Sequence, residues 1–68
     1  MIEVFTDTLF ELRDAMGNTT GLGLTETIRF FESQTIEIKS GHLLVTWQLH
    51  FDRPEQETVF RLKYGQYL

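Results

Sequence analysis

The spacing of apolar residues changes at Thr35, and that change decides what this chain can fold into. Before it, apolar side chains recur at helical intervals: Leu9, Leu12 and Met16, then Leu24, Ile28 and Phe31. After it they alternate. In "TIEIKS", Ile36 and Ile38 share one face, with Glu37 and Lys39 on the other. In "LLVTWQLHF", Leu43, Val45, Trp47, Leu49 and Phe51 oppose Leu44, Thr46, Gln48 and His50. In "TVFRLKY", Thr58, Phe60, Leu62 and Tyr64 oppose Val59, Arg61 and Lys63. Helical spacing followed by period-two spacing describes an α+β chain.

The first spacing predicts a helix over 7–16, with Thr8 and Glu11 placed as a capping box and Gly17-Asn18 as its stop. A second helix is expected over 25–33, with Thr25 as N-cap and Glu26 in its first turn. Its "TIRFFE" segment is rich in β-branched and aromatic residues and also suits a strand. "MIEVF" reads as a short strand. The strands after Thr35 are joined at Ser40-Gly41-His42. A two-residue loop of Ser40-Gly41 pairs Ile38 with Leu43, and one of Gly41-His42 pairs it with Val45. Both keep the apolar sets on one face. Setting Phe51 opposite Thr58 adds a third strand over 58–64. The expected architecture is a single small two-layer α+β domain over 1–68, in the order (β)ααβββ. It is an antiparallel three-stranded meander packed against two short helices, with Trp47 at the centre of the core.

Size and composition narrow the function. A 68-residue chain buries only about 60% of the surface its unfolded form exposes. Such chains often recruit a disulfide, a metal or a second subunit. There is no cysteine, which removes disulfides and thiolate metal sites and suits the cytoplasm. His42 and His50 are too few for an all-imidazole zinc site, and about 25 Å of extended strand separates them. His50 and Asp52 with Glu55 or Glu57 are the one mixed set to consider, and their spacing does not make them converge. Glu3, Asp7 and Glu11 interrupt the stretch where a signal peptide would be apolar. The apolar-leaning run 43–51 is far short of a membrane span. A net charge of −4 opposes binding to a polyanion. Arg61 and Lys63, expected on the polar sheet face, are the conceivable nucleic-acid contacts. Trp47, Phe60 and Tyr64 are expected on the other face, so stacking and charge do not coincide.

The segment "GNTTGLGLTET" has the composition of a phosphate-cradling loop. It lacks the lysine of a P-loop and does not match the dinucleotide fingerprint. An anion at the α-helix start expected at Thr25, held by Gly21, Gly23 and Thr25, is the alternative ligand reading. "TGLGL", followed by a helix and then strands, resembles the second glycine box of the GHKL ATP-binding domains, and "LFE" at Leu9-Phe10-Glu11 lies where such domains carry a similar segment. The resemblance covers roughly residues 9–51 and implies phosphate-lid roles for Gly21 and Gly23. The metal-holding Asn helix and the adenine-reading Asp-x-Gly-x-Gly turn of that family are missing. Ser33 and Ser40 have no nucleophile motif around them, and carboxylate pairs such as Glu11 with Asp14 fall on solvent faces.

No catalytic, cofactor or metal set therefore emerges, and the sequence favours a small non-enzymatic interaction or regulatory module that acts by binding protein. Leu44 and Val59 are apolar on the sheet face away from the helices. Phe5, Phe10 and Phe30 exceed what so small a core holds. Ile36 and Ile38 lie on a strand edge that nothing in the pattern covers. Together these point to a protein partner or a homodimer formed by edge pairing.

Overall fold

The structure, a computed structural model, describes residues 1–18 and 23–68. Its elements run β1 (Ile2–Phe5), α1 (Thr6–Ala15), α2 (Leu24–Ser33), β2 (Ile36–Ser40), β3 (Thr46–Phe51) and α3 (Pro54–Tyr64), followed by a 3-10 turn at Gly65–Tyr67. The three strands form one antiparallel sheet in the order β1-β3-β2. The α+β class and the three-stranded antiparallel sheet match the sequence reading. The membership of the sheet does not.

Residues 58–64, expected as the third strand, belong to α3, and β1 takes that place beside β3. The cause is local. Arg53 is the N-cap, Pro54 occupies the first turn, and Gln56 Oε1 accepts the Arg53 N–H at 3.1 Å. Glu55 and Glu57 lie in the first turn and Arg61 and Lys63 in the last, the polarity that a helix dipole favours. Phe60 and Tyr64, one turn apart, then meet as tilted rings with centroids 4.9 Å apart, and Phe60 meets Phe51 in the same way at 5.2 Å. Leu62, read as a core residue of the strand, is 81% exposed on the helix instead. The Met1 ammonium pairs with Glu57, and with Arg61 it holds that carboxyl below its ordinary range.

The inner sheet face carries Ile2, Val4, Ile36, Trp47 and Leu49, all buried with Leu9 and Leu12 of α1, Phe31 of α2 and Phe60 of α3. Each such large apolar side chain contributes about 1.5–3 kcal/mol when fully buried. The register places Ile2 and Ile38 on either side of Leu49, and Val4 and Ser40 on either side of Trp47. Glu3, Glu37, Lys39, Gln48 and His50 alternate onto the solvent face, as a half-covered antiparallel sheet requires.

α1 starts directly from β1, two residues before the expected Thr8 cap, which lies inside the helix. Thr6 secures that corner. Its N–H donates to Val45 O at 3.1 Å, its hydroxyl donates to the same oxygen, and it accepts the Trp47 indole N–H at 2.9 Å. α1 stops as expected at Gly17, whose φ of +99° is open to glycine. Asn18 N–H reaches back to Arg13 O and Gly17 N–H to Asp14 O, the paired bonds of a Schellman motif. α2 is a helix rather than a strand, and its N-cap is Gly23, not Thr25. Between the helices, buried Arg13 donates from Nη1 to Thr27 Oγ1 at 2.9 Å and from Nε and Nη2 to Asp14 Oδ1, with its guanidinium over the Phe10 ring. Thr27 Oγ1 donates in turn to Gly23 O at 2.8 Å.

Candidate interaction surface

β2 is hydrogen-bonded to β3 along one side and is a sheet edge along the other. Gly41 N–H donates to Thr46 O at 2.8 Å. Antiparallel ladders alternate, so the pairs that exchange hydrogen bonds are Gly41–Thr46, Lys39–Gln48 and Glu37–His50. The N–H and C=O groups of Ile36, Ile38 and Ser40 therefore point away from the sheet. On the solvent face of the same strand, Lys39 Nζ lies 3.3 Å from Glu37 Oε1, and both side chains are well exposed. Ile38 is half-buried, whereas Ile36 is 5% exposed and belongs to the core. Ile36 thus contributes its backbone to the edge and not, as expected, an accessible side chain. The opposite edge, β1, is shorter and passes straight into α1, with Glu3 as its one charged side chain.

The connection from β2 to β3 is longer than the sequence suggested. Its loop is 42–45, closed by Val45 N–H donating to His42 O at 2.9 Å, and Ile38 faces Leu49 rather than Leu43 or Val45. The inner-face parity survives that shift. Leu43 and Leu44 form the tip with φ of +50° and +58°, the left-handed pair that a primed hairpin turn needs. Gly41 is not the turn residue. It is needed because a Cβ there would collide with Thr46 Oγ1, the acceptor of His42 N–H. The tip is apolar and open to solvent: Leu43 is 78% exposed and Leu44 66%. Exposed Val45 and Phe5 adjoin it, Phe5 standing opposite Thr46 at the same end of the sheet.

Other residues singled out in the sequence fall elsewhere. Leu44 is in this loop and Val59 is exposed on α3, so neither lies on the outer sheet face. Phe10 and Phe30 are half-buried; Phe10 packs under Arg13, and Phe30 meets Phe31 edge-on at 5.8 Å. Arg61 and Lys63 project from α3, so the basic sheet face expected for them does not form. Gly21 lies outside the described residues. Gly23 carries the Glu26 carboxylate close above it, a Cβ there standing 3.1 Å from Oε2, so an acid already occupies the start of α2. Thr25 is exposed within the first turn. His50 and Asp52 do share a depression of about 450 Å³ with Glu32, Thr35, Glu37 and Phe51. Among the described residues, no group of three His, Cys, Asp or Glu side chains is placed to hold a metal ion. A second groove of about 410 Å³, lined by Met16, Ile36, Phe51, Val59, Phe60 and Tyr64 with Lys63 beside them, runs along α3. No helix among the described residues is long and apolar enough to cross a membrane.

The open strand edge was legible in the pattern "IEIKS". The leucine tip was not, because the neighbouring glycine is the residue that turn chemistry selects. No family model, curated protein or solved structure matches the chain.

Proposed function

We propose that this protein is a small non-enzymatic interaction module that associates with itself and presents an apolar surface to other proteins. The observation that carries this reading is the edge of β2, whose outward backbone groups at Ile36, Ile38 and Ser40 form a template for another strand. A homodimer would also supply the second subunit that so short a cysteine-free chain, suited to the cytoplasm, has reason to recruit. With β2 paired, the apolar tip at Leu43 and Leu44 stays outside the joined strands and is available to a protein partner.

Ser40→Pro tests the reading. Ser40 is exposed and its N–H points outward, so proline there removes an edge donor while leaving the bonds to β3 in place. Sedimentation of the variant is expected to show loss of self-association, with a far-ultraviolet spectrum like that of the parent. Association at the parent's strength in a folded variant would count against pairing through β2.

A further inference from the structure

We infer that the partner strand for β2 is β2 of a second copy, aligned in one register about a two-fold axis through Ile38. The inference rests on the self-association proposed above and specifies its geometry. Outward-pointing residues must pair with outward-pointing residues in an antiparallel ladder. For β2 that leaves three registers with useful overlap. One centres on Glu37 and sets Glu37 against its own copy. One centres on Lys39 and sets Lys39 against its own copy. The third centres on Ile38, and it alone places Glu37 of each chain opposite Lys39 of the other, twice.

That register also makes the most of the strand. Ile36 faces Ser40 of the second copy, Ile38 faces Ile38, and Ser40 faces Ile36, so about six backbone hydrogen bonds join the chains. Glu37 and Lys39 then fall at the non-bonded positions, where side chains of opposite strands stand closest. Their present contact within one strand, 3.3 Å between Lys39 Nζ and Glu37 Oε1, shows that both reach over the same solvent face. Together with their copies they make an alternating square of four charges. The half-buried Ile38 meets its copy at the axis on the inner face, and the helical layers of both chains lie on one side of a joined sheet. β1 offers no equivalent, since Glu3 has no cation on its own strand to answer it.

The inference is tested by exchanging the charges. Glu37→Lys leaves two lysines on the strand and Lys39→Glu leaves two glutamates, both at exposed positions whose substitution spares the fold. Sedimentation equilibrium is expected to show each single variant associating about tenfold or more weakly than the parent. An equal mixture of the two is expected to recover a dimer made of one chain of each kind, and the double exchange Glu37→Lys/Lys39→Glu to recover a homodimer. Single variants that dimerise like the parent, or a mixture that stays monomeric, would overturn the register while leaving self-association standing. A parent chain that is monomeric throughout would overturn both.

Discussion

Leucine is a poor choice for positions 43 and 44 on two independent grounds. Both residues have positive φ, which costs an L-residue with a Cβ roughly 1–2 kcal/mol, and both side chains are mostly exposed to solvent. Asn-Gly would satisfy the same turn without strain. The double substitution Leu43→Asn/Leu44→Gly is therefore expected to stabilise the fold by about 1–2 kcal/mol, raising Tm by about 7–14 °C. Thermal denaturation followed by circular dichroism reads this directly. A lower Tm would mean that the leucines support the fold, and the tip could not then be read as a surface kept at a cost in stability. Thr35, at φ +63°, carries similar strain at the turn from α2 to β2, but its hydroxyl accepts Gln56 Nε2–H at 3.0 Å and so helps to fix α3.

Between elements, a buried polar pair joins α1 to α2. Thr27 Oγ1 accepts from Arg13 Nη1 and donates its own hydrogen bond to Gly23 O. Thr27→Val keeps the shape and removes that acceptor from a buried guanidinium, and is expected to cost about 1–3 kcal/mol. Thr27→Ser keeps the oxygen and should cost less. Urea unfolding of the two variants separates the cases, and a loss in Thr27→Val no larger than that in Thr27→Ser would contradict the role given to the hydroxyl. The two helices were legible in the spacing of Leu9, Leu12 and Met16 and of Leu24, Ile28 and Phe31, although "TIRFFE" taken alone also suits a strand. α3 was not, because seven residues of alternating character fit a strand as readily as a helix that buries Phe60 and Tyr64 from one face. The deciding signal lies upstream, in Arg53-Pro54 and the acids after it, the segment that a strand pairing of Phe51 with Thr58 leaves as a connection. Once α3 is a helix, the sheet lacks a strand, and "MIEVF" supplies it through Ile2 and Val4. The site shows the same division. The free edge at Ile38 could be read from the alternation, while the burial of Ile36 depends on the helices that cover it.

For the molecule as a whole, a three-stranded sheet with one face that no described element covers is a small unit to stand alone. Joining two copies at β2 doubles the sheet and removes one edge from each. The pairing carries exposed charges, so it should weaken as salt rises past the range where such pairs are screened. The most direct measurement is the molar mass of the unmodified protein in solution, by light scattering across a concentration series at low salt. A chain of 8.0 kDa that pairs through β2 gives a mass rising to a plateau of about 16 kDa. A constant mass of about 8 kDa up to the highest soluble concentration would contradict self-association, and with it the role assigned to the β2 edge.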